Sequence, residues 1–207
     1  MPTEPNGPDP IELSPHELRE IAGHAAGQAS GVLALFEESV PGDPRPREAV
    51  EAALAFAAGG PRTAALRRAA WAAFRAAREA APPAAAEAAR AASHAAGAAF
   101  LHPVASAHQV RHVLGATAHA ARARELTAAT TRPTPEAPTP RADATDVPGS
   151  PTTADEVAGV DGGEGWAWVC RGVPSAVVAV LRRLPAAPAG GGRVGEIMRG
   201  LDAALRR

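Results

Sequence analysis

The sequence predicts an all-α protein, an antiparallel multi-helix bundle, and three observations support this. Apolar residues recur at intervals of three and four, the spacing of one helix face. Alanine, the strongest helix former, dominates the composition. Proline and glycine pairs such as Pro41-Gly42, Gly59-Gly60-Pro61 and Pro82-Pro83 divide the chain into segments of helical length.

Five helices are predicted within residues 13–129, which we interpret as one domain. The first begins at a capping box, Ser14-Pro15-His16-Glu17, in which a serine hydroxyl and a glutamate three residues later satisfy free amides. Asp43 caps the second. The predicted helices cover approximately residues 14–40, 43–58, 63–80, 84–101 and 104–128. Their short connections favour antiparallel neighbours.

The rest of the chain has a different character. Residues 1–12 are expected to form a disordered lead-in, and residues 130–163 a disordered linker rich in proline, threonine and glycine. Residues 164–207 are predicted to be a short helical tail, whose last helix carries one apolar face: Val194, Ile197, Met198, Leu201 and Leu205. Because so small a segment does not fold alone, we expect it to dock on the five-helix body, the alternative being that it binds a partner.

Charge and composition exclude several classes. The formal net charge of −1 argues against a nucleic-acid binder. The N-terminus has no signal-peptide pattern, and no apolar run reaches the roughly 20 residues of a membrane span. The only cysteine, Cys170, cannot form an internal disulfide. We therefore expect a cytoplasmic protein without a membrane partner.

Three stretches carry a family resemblance. They are Leu35-Phe36-Glu37 followed by Asp43-Pro44-Arg45-Pro46-Arg47-Glu48-Ala49-Val50-Glu51-Ala52; Arg67-Arg68-Ala69-Ala70-Trp71-Ala72-Ala73 with Ala76-Ala77-Arg78-Glu79-Ala80; and Ala89-Arg90-Ala91-Ala92-Ser93-His94-Ala95 with Ala107-His108 and His112-Val113-Leu114-Gly115-Ala116. Residues 32–126 thereby resemble the immunity-five-like family of bacterial immunity proteins. The resemblance implies an all-helical fold, no catalytic residues, and a cognate toxin protein as partner.

Histidines form the strongest chemical signal. His108 and His112 are spaced i, i+4, which predicts two imidazoles on one helix face, a spacing that can hold zinc. His94 and His102 share a face of the preceding helix, so the four could converge on a transition metal if the two helices pack together. The alternative is histidines bonded to backbone and acids. The lack of any cysteine or acid between residues 94 and 124 favours that alternative.

A second pattern lies on the third predicted helix. Arg68, Trp71, Arg75 and Arg78 follow one another at intervals of three and four, and form a candidate partner-binding stripe. Tryptophan and arginine are enriched at interface hot spots. The alternative is an ordinary solvated face with Trp71 partly buried.

Three functional hypotheses follow. The first is a non-catalytic immunity protein that binds and neutralises a toxin. The second is a metal- or small-ligand-binding protein that uses the histidines between His94 and His119. The third, which the balanced charge disfavours, is nucleic-acid association through the arginine stripe. No phosphate loop, nucleophile elbow or paired-cysteine motif indicates an enzyme. Asp43, Arg45 and Arg47 are interpreted as a helix cap and an arginine–carboxylate clamp, with Glu48 or Glu51 as partners.

Overall fold

Helices account for most of the backbone in a computed structural model that describes residues 8–131 and 172–207. Within these ranges the chain forms eight α-helices and a short 3₁₀ turn at Ala107–Gln109, and no strand. The helices are α1 Pro15–Ser30, α2 Leu33–Ser39, α3 Arg45–Ala57, α4 Ala64–Glu79, α5 Pro83–Ala98, α6 Val110–Thr131, α7 Ser175–Arg183 and α8 Gly192–Arg206. The prediction of an all-α bundle is confirmed. In the described part, no helix is long and apolar enough to cross a membrane.

The first helix begins as predicted and ends earlier. The Glu17 amide donates to Ser14 Oγ over 3.2 Å, and the Ser14 amide donates to Glu17 Oε2 over 2.8 Å, so the capping box is complete. The predicted helix over 14–40 is interrupted after Ser30, where Val32 has φ −129° and ψ 2°. Gly31 is a poor helix former, and a Cβ at this residue would lie only 2.8 Å from an Arg124 nitrogen. The break therefore yields two helices where one was expected.

Helix α5 lies at the centre of the bundle. It contacts α1, α2, α3, α4 and α6, and nine of its sixteen residues are buried alanines. Such small side chains let helices approach closely on several sides, which residues with longer side chains would prevent. Larger side chains from the surrounding helices, including the fully buried Phe36, Ile21 and Leu114, fill the space between them.

The two C-terminal helices pack on the rest of the bundle. Helix α7 contacts α1, and α8 contacts α6 through a face that buries Ile197, Met198 and Leu201. An ion pair of 2.7 Å joins Arg193 on α8 to Glu125 on α6. The predicted linker and the start of the tail fall in residues 132–171, outside the described ranges.

The chain just before α1 is also held in place. The Ile11 amide donates to the Pro103 carbonyl over 3.0 Å, and the Ala105 amide donates to the Asp9 carbonyl over 2.7 Å. These bonds join part of the lead-in, which was predicted to be disordered, to the loop between α5 and α6. The first seven residues of that lead-in lie outside the described ranges.

Candidate interaction cleft

A cleft of about 640 Å³ opens between α4, the second half of α5 and the segment that leads into α6. We call it the aromatic cleft. One wall comes from Arg67, Trp71 and Phe74, which α4 places on one face because they are spaced i, i+4 and i+7. The remaining lining residues are Ala70, Ser93, His94, Gly97, Phe100, His102 and His112. Its volume lies within the roughly 300–1,000 Å³ of ligand-binding clefts.

The α4 wall exposes large aromatic rings. Trp71 is 59% exposed and Phe74 is 39% exposed. The two rings meet edge to face at 88°, with their centroids 5.8 Å apart. Across the cleft, the Arg67 guanidinium lies 4.5 Å from the centroid of the Phe100 ring. Exposed aromatic residues gathered in this way are typical of an interaction surface.

The floor of the cleft contains two largely buried imidazoles, those of His112 and His94. His112 Nδ1 lies 2.9 Å from the Gly97 carbonyl oxygen, which can only accept a hydrogen bond, so Nδ1 carries the proton. Burial lowers the pKa of His112, which keeps the ring neutral at pH 7 and leaves Nε2 as an acceptor. Among the described residues, Nε2 has no hydrogen-bond partner. The floor therefore offers a free acceptor to a ligand.

The second imidazole is that of His94, which lines both this cleft and a smaller one. Burial, with smaller contributions from the charges of His119 and His112, lowers the pKa of His94 to about 3. Its ring stacks on His119, with centroids 4.8 Å apart. His94 is therefore a neutral, packed side chain.

A smaller cleft of about 300 Å³ lies on the other side of His94, between α5, α6 and residues 188–198. There Glu87 binds His119 at 2.5 Å and Arg90 at 2.7 Å. Burial raises the pKa of Glu87, but the hydrogen bonds and charges of these partners outweigh it, and the pKa lies below its usual value. Glu87 is thus an ionised carboxylate that already has two partners.

The outer face of α4 is positively charged. Arg68, Arg75 and Arg78 are exposed and form no ion pair with any residue of the described ranges. The only acid of α4, Glu79, is bound by Arg45 at 2.5 Å. No aspartate or glutamate lines the aromatic cleft. The cleft and its rim therefore attract negative charge.

The four histidines predicted as metal ligands are only partly brought together. His94, His102 and His112 border the aromatic cleft, whereas His108 does not. His108 and His112 were expected on one α-helix, but His108 lies in the 3₁₀ turn and α6 begins only at Val110. Across both described ranges, no group of three or more His, Cys, Asp or Glu side chains is arranged to hold a metal ion. The geometry gives the predicted metal site no support.

The predicted partner-binding stripe lies on the exposed side of α4. Arg68, Trp71, Arg75 and Arg78 are all exposed, and Trp71 alone among them lines the cleft. Sequence reasoning missed Phe74 and Phe100. Phe74 follows Trp71 by three residues, a spacing that indicates a shared face, but the position of Phe100 depends on how α5 packs against α4.

The clamp at the start of α3 uses other partners than expected. Arg45 binds Asp43 at 2.6 Å and Glu79 at 2.5 Å, while Arg47 binds Glu37 at 2.7 Å. Glu48 and Glu51, the partners proposed from the sequence, do not form these bonds. The pKa of Asp43 is lowered, mainly by the hydrogen bond from Arg45. These ion pairs join α2, α3 and α4, so the stability of the fold is sufficient to explain the charged residues of the cluster.

Comparison with known proteins identifies the family. The family model described as Imm-5 like putative immunity protein matches residues 11–139, which include α1 to α6 and the whole aromatic cleft. The chain therefore belongs to this immunity-protein family. The C-terminal helices α7 and α8 lie outside the match. No curated protein and no solved structure is significantly similar to the chain.

Proposed function

We propose that this protein is a non-catalytic immunity protein that binds a cognate bacterial toxin and neutralises it through the exposed face of α4. Family membership supports the general role. The observation that carries the choice of surface is the exposure of Trp71 and Phe74 at the mouth of the aromatic cleft.

The composition of this face suits a protein partner. Interface hot spots are rich in tryptophan, tyrosine and arginine, and they sit in pockets that exclude water when the partner docks. Trp71 supplies a large ring, and Arg68 and Arg75 surround it with charges that steer an acidic partner. Burying the exposed half of Trp71 would therefore contribute to affinity without reorganising the bundle.

The face is also rigid. Helix α4 begins at a Thr63 cap, whose Oγ1 accepts from the Leu66 amide over 3.2 Å, and its last residue, Glu79, is bound by Arg45. Its inner side packs on α3 and α5. A backbone that is already held in place loses little further entropy on binding, which favours tight association.

The test uses the toxin encoded beside this gene, produced as a catalytically inactive variant. Calorimetry should show a one-to-one complex with the full chain. Trp71→Ala should weaken it by about 2 kcal/mol or more, on the order of 30-fold in Kd. Leu54→Ala is the matched control, because Leu54 is 45% exposed on α3 and does not line the cleft.

Neutralisation is measured with the active toxin in co-expressing cells. Growth should be rescued by the native chain and by Leu54→Ala, and much less by Trp71→Ala. The toxin recovered from the dissociated complex should be chemically unchanged, since the proposal is blockade and not turnover. Equal binding by both variants, or covalent alteration of the toxin, would refute the proposal.

A further inference from the structure

We infer that the aromatic cleft receives one aromatic side chain of the toxin that carries a hydrogen-bond donor, a tyrosine or a tryptophan, flanked by acidic residues. This inference rests on the proposed function and states what the α4 face recognises. It is argued from three independent properties of the cleft.

The first property is the aromatic lining. Trp71, Phe74 and Phe100 border the cleft from two elements. Aromatic rings prefer edge-to-face or offset-stacked neighbours, and Trp71 and Phe74 already adopt an edge-to-face arrangement. A planar ring that enters the cleft beside Trp71 and Phe74 finds partners of this kind, whereas a flexible aliphatic chain gains only area.

The second property is the acceptor on the floor. The Gly97 carbonyl accepts a hydrogen bond from His112 Nδ1–H, which leaves Nε2 as an acceptor without a partner among the described residues. An incoming phenylalanine would cover this nitrogen and leave it unpaired, which costs free energy. A tyrosine O–H or an indole N–H pairs with it. The floor therefore selects an aromatic group that bears a donor.

The third property is charge. Arg68, Arg75 and Arg78 have no ion-pair partner among the residues of the described ranges, and no acid lines the cleft. An acidic residue before or after the inserted ring would reach this rim. A basic residue in that position would be repelled by these arginines. The occupant is therefore an acidic segment of the toxin.

The probes are three short capped peptides, acetyl-Glu-Tyr-Glu-amide, acetyl-Glu-Trp-Glu-amide and acetyl-Glu-Phe-Glu-amide, titrated into the full chain. Binding is followed by the NMR shift of the Trp71 indole N–H. Weak, millimolar binding is expected. The tyrosine or the tryptophan peptide should bind about three- to tenfold more tightly than the phenylalanine peptide.

The decisive variant is His112→Asn. The asparagine amide nitrogen can replace Nδ1 as donor to the Gly97 carbonyl, but the acceptor corresponding to Nε2 is lost. Affinity for the phenylalanine peptide should persist while the preference for the donor-bearing rings disappears. If this variant does not fold, Trp71→Ala, which alters an exposed side chain, should abolish the binding of all three peptides, as measured by calorimetry.

Charge is tested with acetyl-Lys-Tyr-Lys-amide, which should bind at least about threefold more weakly than the acidic tyrosine peptide at low salt. Equal affinities for tyrosine, tryptophan and phenylalanine, or no shift with any peptide, would overturn the inference. These outcomes would leave the proposed function standing if the toxin still requires Trp71. Conversely, a toxin that does not bind the chain would refute the proposed function whatever the peptides do.

Discussion

Gly115 on α6 leaves just enough room for the His94 ring on α5, because a Cβ at Gly115 would lie 2.4 Å from His94 Nδ1 and 2.9 Å from Cγ. The ring cannot easily move aside, since it stacks on His119. The two central helices approach each other at this point through a glycine and an imidazole.

Gly115→Ala is therefore expected to destabilise the protein by about 1–3 kcal/mol through overpacking, despite the better helix propensity of alanine. The measurement is urea unfolding at pH 7.5. Gly27→Ala on α1 is the matched control, because no atom lies within 4 Å of the added Cβ. It should stabilise the protein by about 0.5–1 kcal/mol. Similar effects of the two substitutions would contradict the close approach of His94.

Stability should fall as the pH falls below about 6.5. Burial lowers the pKa of His24, His94 and His112, so in this range the unfolded chain binds protons that the folded chain excludes. Each such histidine contributes a slope of up to about 1.4 kcal/mol per pH unit between its folded and its unfolded pKa. The measurement is the free energy of unfolding in urea from about pH 7.5 to 5.

His24→Leu separates one contribution from the others. Nε2 of His24 is buried and has no hydrogen-bond partner among the residues that the structure describes, so the imidazole gains little from remaining polar. The variant should show a smaller loss of stability on acidification than the native chain. An unchanged pH dependence would mean that His24 is protonated as readily in the folded as in the unfolded state.

The docking of α8 on α6 can be tested at Leu201, which is 1% exposed. Leu201→Ala should cost about 2–5 kcal/mol because it opens a cavity under α8. Ala203→Gln on the exposed side of the same helix should change the free energy of unfolding by no more than about 0.5 kcal/mol. If Leu201→Ala had no effect, α8 would be free in solution, as the alternative of a partner-binding tail requires.

The metal content of the purified protein discriminates between the two interpretations of the histidines, a transition-metal site and side chains bonded to backbone and acids. Protein purified without a histidine tag is expected to contain far less than one equivalent of zinc, nickel or iron by elemental analysis, because the described histidines form no three-ligand group. Close to one equivalent, lost in His112→Asn, would instead establish a metal centre at the cleft.

The features that the sequence predicts well depend on local chemistry. The capping box at Ser14 and the helix periodicity involve residues within a few positions of one another, so they can be recognised without tertiary information. The interruption at Gly31 and the 3₁₀ turn containing His108 were missed, because each depends on how a short segment fits against α6 or α5. The helix predicted from residue 104 therefore included His108, which the structure places in the turn before α6.

The candidate site likewise combines features that local sequence predicts with features that depend on tertiary packing. The exposed stripe containing Trp71 follows from spacing on a single helix, whereas the cleft beside it does not. Gly97 belongs to α5, Phe100 to the turn after it, and His112 to α6. Only helix packing brings these residues opposite Trp71. The hydrogen bond that fixes the tautomer of His112 spans fifteen residues, which no local pattern encodes.

The buried alanines of α5 also determine which parts of such a protein can change in sequence during evolution. At the nine buried alanines of α5, which contacts five neighbouring helices, a larger side chain would overpack the core, so inherited change at these positions is confined to residues of similar size. The outward side of α4 carries no such restriction, since Arg68, Trp71 and Arg75 face solvent. Mutations can therefore accumulate on this face while the scaffold stays constant, and under the proposed function a lineage can follow a changing toxin without redesigning its fold.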